Sequence, residues 1–408
     1  MPQSLNAMTT TVYPLVLLGG GHSHALLLTY WQSLNPDKHD KVRPLLISEQ
    51  ATSPYSGMLP GLLADEYSFD DCHIDLVNLC ANSGSDFLQG QCINIQRVGS
   101  NDYPTLYRLD LQSPKAHPDI NNKNDSSDEN DSSIVSIFCE RLSLNIGSQP
   151  RVNDSTTHNS PISPQWKVKP ISHFFENWQS LKPLLSRPAN SLTGQELKTI
   201  IQVVGAGAAG VEIACAIKQS QPNCEVRLLA RSPLPLPSFS LKTQQKCMQQ
   251  LNKMGIEFIN TQANKNSVMP VNTKTKHTYT LWCTQSAAPK WLQKTNLVLS
   301  DSGFICVDQY LQTSFPGVFA AGDCAHFNPQ PLPKAGVYAV RQAKILFENL
   351  LAPSSSKLIP FKPQPNVLAI INMGSCFALA EKGRWSMQGY LPWLYKRKID
   401  QSFMSKFS

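Results

Sequence analysis

The residues best placed to do chemistry stand in two glycine-rich turns. The first reads Val16-Leu17-Leu18-Gly19-Gly20-Gly21-His22-Ser23-His24. The second reads Val203-Val204-Gly205-Ala206-Gly207-Ala208-Ala209-Gly210-Val211-Glu212. Each closes a run of branched apolar residues and opens a segment rich in leucine or alanine. At such a turn, free backbone N–H groups and the positive end of a helix dipole can meet a phosphate. In the second turn Gly205 permits the tight bend, Gly207 leaves room beside Ala206 for a pyrophosphate, and Gly210 lets the helix pack on the strand. The first turn has Gly19, Gly20 and Gly21, but His24 occupies the place of the third glycine and should hold the helix slightly off the strand. His22, Ser23 and His24 are candidates to meet a phosphate, with a packing role at the helix start equally open for the two histidines.

An acid completes the first turn. Glu49 ends the next apolar run, Arg43–Ser48, where a carboxylate can accept hydrogen bonds from an adenosine ribose. The second turn has no such acid, because the chain there reads Val226-Arg227-Leu228-Leu229-Ala230-Arg231. Arg231, or less favourably Arg227, can meet a 2′-phosphate, which would select NADPH; weak nicotinamide binding is the other reading. Two turns together imply two dinucleotides held face to face, the arrangement that passes a hydride from a nicotinamide to a flavin.

The elements that must position these turns follow from periodicity and punctuation. Tyr13–Leu18 reads as a buried strand, Ala25–Ser33 as a helix and Arg43–Ser48 as a second strand. Thr199–Val204, Ala208–Gln219 and Glu225–Ala230 repeat that strand–helix–strand order, followed by a helix at Leu241–Met254 and strands at Ile256–Ile259 and Thr278–Cys283. Ile134–Ile146 is apolar enough for two short strands. Residues 165–186 carry Trp166, Phe174, Phe175 and Trp178 and lead into a helix. Asn121–Ser133 holds no apolar residue and is expected to be a disordered insert, as part of a segment at about 112–133. Gln149–Pro164 reads as a second polar loop. The fold class expected is α/β: two Rossmann-like three-layer dinucleotide-binding domains, one inserted in the other, plus a small C-terminal region. The divisions are 1–165 and 297–352 for the FAD-binding domain, 166–296 for the NAD(P)-binding domain and 353–408 for the C-terminal region.

Bulk composition narrows the class. The chain has 408 residues, 41% of them hydrophobic, and a net charge of +7 with lysine and arginine scattered rather than striped. No basic stripe interleaved with aromatics supports nucleic-acid binding. The eleven cysteines form no CxxC pair, so neither a structural zinc site nor a disulfide framework is expected. No metal site is expected. The Met1–Thr11 start is polar, and no apolar run approaches the roughly 20 residues that span a bilayer. The expected location is cytoplasmic. The tail Gly389–Lys398 mixes aromatics with basic residues and can rest on the inner face of the plasma membrane or pack on its own domain.

Late in the chain, Val318-Phe319-Ala320-Ala321-Gly322-Asp323-Cys324-Ala325 follows Asp301–Asp308. This pair resembles the second flavin-binding motif of the pyridine nucleotide-disulfide oxidoreductase superfamily. Gly19–His24, Tyr55–Gly61, Leu142–Ser148, Trp282-Cys283-Thr284, Ala287–Leu292, Leu332–Arg341 and Trp393–Asp400 narrow the resemblance to an NADH dehydrogenase-like flavoprotein module. Some bacteria carry that module fused ahead of selenide, water dikinase. No kinase domain is expected in this chain. The resemblance implies FAD, NADH or NADPH as co-substrate, and a quinone or other small electron acceptor. It places Asp323, beside Gly322, at the flavin ribityl or pyrophosphate region. Tyr55, Gly147 and Ala335 join the flavin-site candidates, and Glu212 joins the nicotinamide-site candidates. Lys334 becomes the candidate catalytic residue, near the flavin ring and stabilising its reduced anion. Two departures stand out: Gln285 replaces the glycine usual after Trp-x-Thr, and Ala-Gln-x-x-x-Gln is not reproduced at Lys334–Gln342. Two rival readings remain: a sulfide- or selenide-oxidising flavoenzyme with Cys139, Cys324 and Cys376 converging on the flavin, and a flavin-binding partner or redox sensor linked to selenium metabolism.

Overall fold

Leu15, Val16, Leu17 and Leu18 are almost wholly buried, as a continuous apolar run in a central parallel strand must be. They belong to β1 (Val12–Leu18), which leads through the first glycine turn into α1 (His22–Gln32) and on to β2 (Leu45–Ser48). The structure, a computed structural model, describes residues 11–34, 42–98, 105–112, 134–150, 165–185, 198–261, 276–284, 286–353 and 356–407. The insert expected at about 112–133 falls almost entirely outside these residues, as do most of the loop at 149–164 and Gln285.

β1 pairs in parallel with β2 on one side and with β3 (Ile134–Leu144) on the other. The sheet runs in the order Asp86–Gln89, β2, β1, β3, Leu106–Gln112, Gln91–Val98. The expectation of two short strands in 134–146 is corrected: they are one strand of 11 residues. It stays continuous because its far edge has two successive partners. Leu106–Gln112 pairs antiparallel with residues 134–139, and Val318–Ala320 pairs parallel with 142–144. The late return of the chain therefore ends beside the first glycine turn.

Between those two partners the chain builds a second sheet, all parallel, in the order Gln165–Lys167, Lys276–Trp282, β4 (Lys198–Val204), β5 (Glu225–Ala230), Glu257–Asn260. The second glycine turn joins β4 to α2 (Ala208–Ser220), and α3 (Leu241–Lys253) precedes the edge strand. The two-sheet α/β architecture expected from the turns is present.

Each sheet has its own apolar core. Leu26, Trp31, Leu46, Leu142 and Leu346 fill the first; Trp178, Val203, Ile213, Leu228 and Leu251 fill the second. Burying each such side chain stabilises by roughly 1.5–3 kcal/mol. α4 (Gly336–Leu351) covers α1, with Trp31 and Phe347 meeting edge to face at 5.9 Å. A three-stranded antiparallel hairpin sheet (Ala369–Asn372, Ala378–Lys382, Trp385–Gly389) and α5 (Tyr390–Met404) complete the chain. Ile371, Met373 and Leu379 of this last part join the second core, whereas Phe403 joins the first.

Candidate functional site

The carboxyl ends of β1, β2 and β3 open onto a cavity of about 320 Å³. Gly19, Gly20, Gly21, His22, Glu49, Gly147 and Asp323 all line it, so most of the first set of candidate residues converges. Sequence distance hid the reason: Ile47, Asn145 and Asp323 come from three strands that end at one edge. Open α/β sheets bind ligands outside the carboxyl ends of their strands, and the cavity lies there.

The glycines are required by a neighbour that sequence reasoning passed over. Gly19 has φ +96°, and a Cβ there would lie 2.6 Å from the Asn145 carbonyl oxygen. At Gly21 a Cβ would meet the Asn145 Oδ1 at 2.2 Å. Asn145 is buried and ties the site together. Its Oδ1 accepts from the Ser23 N–H at 3.0 Å, its carbonyl from the Gly21 N–H at 3.3 Å, and its Nδ2 donates to the Ala321 carbonyl at 2.7 Å. Only its position after a long apolar strand, inside a motif already singled out, could have pointed to it.

Five residues expected at the first site stand apart from the cavity lining. Ser23 and His24 do not face the cavity; both are completely buried. Ser23 donates to the Ala339 carbonyl at 2.8 Å. His24 fills the third-glycine position by bonding across the gap: Nδ1 donates to the Gly19 carbonyl at 2.7 Å, and Nε2 accepts from the Ser143 hydroxyl at 2.7 Å. Burial pushes its pKa down to about 4, so it is neutral near pH 7. Tyr55 is turned away as well: its hydroxyl donates to Asp400 at 3.1 Å and its ring stacks on Phe403 at 4.5 Å. Lys334 and Ala335 line a small adjoining cleft that shares Asp323 with the cavity. The Lys334 ammonium donates to the Ala325 carbonyl and sits 3.9 Å from the Phe304 ring centroid. Burial lowers its pKa.

Asp323 is the carboxylate that the cavity holds opposite Glu49. Lys169 pairs with it at 2.9 Å, and Ser148 donates at 3.2 Å. Burial alone would raise its pKa; Lys169 and the hydrogen bonds outweigh that and hold it below the usual range. Gly322, at φ +71°, makes the bend, and its N–H donates to Gln342 Oε1 at 2.8 Å. His22 lines the cavity with Nε2 3.3 Å from the Pro54 carbonyl, and burial lowers its pKa.

The second turn is built as its spacing requires. Gly205 has φ +111°, and a Cβ there would lie 2.5 Å from the Cys283 carbonyl oxygen. A Cβ at Gly210 would overlap the Gly205 oxygen at 1.7 Å, so helix and turn are in direct contact. Gly207, which precedes α2, has no atom within 4 Å of its missing Cβ. That open face at a helix N-terminus suits an anion such as a pyrophosphate. Ala206 is buried, and its carbonyl accepts from the Leu236 N–H at 2.7 Å. Arg231 is exposed just past β5, whereas Arg227 is engaged with Glu225 and, at 3.0 Å, with Glu257.

Glu212 is corrected in its neighbours. It accepts from the Asn372 N–H at 2.8 Å and faces the C-terminal helix. Burial raises its pKa to about 7; Lys396 and the Asn372 N–H pull it down, and Asp400 pushes it up. Lys396 in turn donates to the Gly57 carbonyl at 2.8 Å and to Asp400 at 2.9 Å. The convergence of Cys139, Cys324 and Cys376 is also corrected. Cys139 lies mid-strand opposite Tyr13 and Tyr107, Cys324 is buried against the Ala321 carbonyl, and Cys376 is exposed on the hairpin loop after Gly374.

Residues 168–343 match the family described as pyridine nucleotide-disulphide oxidoreductase. Ferroptosis suppressor protein 1 of Xenopus tropicalis is 29% identical over 177 residues, 38% of this chain and 46% of that protein. The nitric oxide reductase FlRd-NAD(+) reductase of Salmonella heidelberg is 45% identical over 56 residues, 14% of this chain and 15% of that one. The matches thus span less than half the length of these curated relatives. Among solved structures, NDH2 of Plasmodium falciparum in complex with NADH is similar with a TM-score of 0.72 at 13% identity, covering 97% of this chain and 98% of its own. An NAD-dependent persulfide reductase of A. fulgidus is similar with a TM-score of 0.65 at 15% identity, over 91% and 64%. These two likenesses are likenesses of fold.

Proposed function

We propose that this chain is an FAD-dependent NAD(P)H oxidoreductase. The observation that carries the reading is the cavity over the first turn, with Glu49 at one end and Asp323 at the other, in a chain that repeats the turn on a second parallel sheet. Glu49 would hold the adenosine ribose, Gly19–Gly21 would pass the pyrophosphate, and Asp323 would take the ribityl end. The nicotinamide nucleotide would cross Gly207, with Arg231 free to meet a 2′-phosphate. Bound FAD would supply the redox chemistry, two-electron transfer from the hydride of NAD(P)H to a quinone or another small acceptor whose protons come from solvent. The protein's part is alignment and exclusion of water. The division into domains at 165/166, 296/297 and 352/353 belongs to this reading, as does the link to selenide, water dikinase, which rests on the sequence motifs alone.

α5 supports a site of action at the inner membrane face. Tyr390, Leu391, Leu394, Tyr395 and Ile399 are exposed along it, with Trp385 just before it and Arg384 and Lys398 beside them. This pairing of apolar and basic groups suits an anionic lipid surface. Among the described residues no helix is long and apolar enough to cross a membrane.

The test is direct. The purified chain should carry a flavin spectrum that bleaches on anaerobic mixing with NADH or NADPH. Bleaching with sulfide or selenide alone would favour the sulfur-oxidising alternative, and a chain unable to bind FAD would overturn the reading.

A further inference from the structure

The cavity over the first turn is walled in part by the second half of the molecule. Lys169 follows the edge strand Gln165–Lys167 of the second sheet and is anchored there, because the neighbouring Val168 N–H donates to the Trp282 carbonyl at 3.2 Å. From that sheet its side chain reaches the cavity end opposite Glu49. There its ammonium lies 2.9 Å from Asp323 Oδ2 and 3.3 Å from the Ser148 hydroxyl. Among the described residues it is the only lysine or arginine lining this cavity. Lys334, the cation that the motif suggested, lines the adjoining cleft and donates to the Ala325 carbonyl; its charge reaches Asp323 only through space, without a hydrogen bond.

We propose that Lys169 is the charge-setting residue of the first cofactor site, a positioning residue that compensates Asp323 and thereby raises both the affinity for FAD and the ease of its reduction. The inference rests on the flavoprotein reading. A bound flavin gains negative charge on reduction, and that charge is disfavoured by a nearby carboxylate lacking its cation. The Lys169–Asp323 pair presents little net charge, and removing either partner leaves the other sign behind. The two removals must therefore act in opposite directions on the potential, although both weaken binding. A merely structural bridge would not behave so, because its two halves would fail alike. The pair also joins the two sheets: the second half of the molecule supplies a cation to the first.

The experiment compares wild type with K169M, K169R and D323N. FAD affinity of the apoprotein is read by fluorescence, and the two-electron midpoint potential of the reloaded protein by dye equilibration. K169M should bind FAD at least tenfold more weakly and shift the potential negative by about 30 mV, the equivalent of tenfold for a two-electron couple. D323N should shift it positive, and K169R should stay near wild type. Potentials of K169M and D323N moving the same way, or K169M unchanged in affinity and potential, would overturn the inference while leaving FAD binding by the wild type intact. If K169M fails to fold by circular dichroism, K169R and D323N decide: a D323N potential that is unmoved or more negative overturns it. Failure of the wild type to bind FAD removes the flavoprotein reading and this inference together.

Discussion

His24 shows how one residue can occupy a forbidden place. A third glycine normally lets the helix lie against the strand. Here the imidazole fills the gap and satisfies both ring nitrogens, against Gly19 and Ser143. Its pKa is depressed by burial to about 4 from 6.5. The unfolded chain therefore binds a proton first as pH falls. The stability that neutral His24 contributes is present above pH 6.5 and is lost as pH falls toward 4. His24→Gln, which cannot titrate, should lose about 2 kcal/mol less than wild type between pH 7 and pH 4.5 in denaturant unfolding. Equal losses would show that His24 is not the acid-sensitive group. Asn145→Ala should be costly at any pH: it strips partners from Ser23 and Ala321 and leaves a buried N–H unpaired, about 2 kcal/mol by thermal or chemical unfolding. Gly19, Gly20, Gly21 and Glu49 were legible as a site because a turn is local. Asn145 was not, because its meaning comes from the strand beside it.

At the scale of elements, the long strand β3 holds the first site together. One edge faces β1 throughout, and the other is shared between Leu106–Gln112 and Val318–Ala320. Apolar content alone could not distinguish this strand from two short ones, since partners and not propensity set its length. α3 offers a second case of remote support. Glu381, from the C-terminal hairpin, accepts from the Ser240 N–H at 3.1 Å and the Ser240 hydroxyl at 2.6 Å, and it also bonds Thr243. It thus caps α3 from a different part of the chain, with its negative charge at the positive end of the helix dipole. Glu381→Ala should lower stability by roughly 1–2 kcal/mol and loosen the hairpin, read as faster amide exchange in α3 and Ala378–Lys382. Unchanged exchange in both would remove the cap from the account.

At the scale of the whole molecule, the C-terminal region contributes to both cores. Its hairpin completes the second core and its Phe403 the first. Its Lys396 and Asp400 reach Gly57 and Tyr55, while Glu212 of the second turn faces the same cluster. The outer face of α5 is left to solvent, and the membrane reading belongs to it. Leu391→Asp with Leu394→Asp should reduce co-sedimentation with anionic phosphatidylserine vesicles at least tenfold without changing thermal stability, because both side chains are exposed. Wild-type protein that ignores such vesicles at low salt would remove the membrane from the function.

The residue order carried the local geometry: two strand–turn–helix units, their glycines and Glu49 could be read because their constraints span only a few residues, whereas Gly322-Asp323 was picked out only by its resemblance to a flavin-binding motif. Which of the neighbouring side chains face the cavity could not be read that way. Ser23, His24, Tyr55 and Lys334 have the chemistry of ligand contacts, yet each is committed to a protein partner brought in by packing. Lys169 has no motif of its own and becomes part of the first site because a strand of the second sheet ends above it. Hydrogen-bonded turns are short-range, whereas a charge pair across a cavity exists only after two sheets have been set against each other.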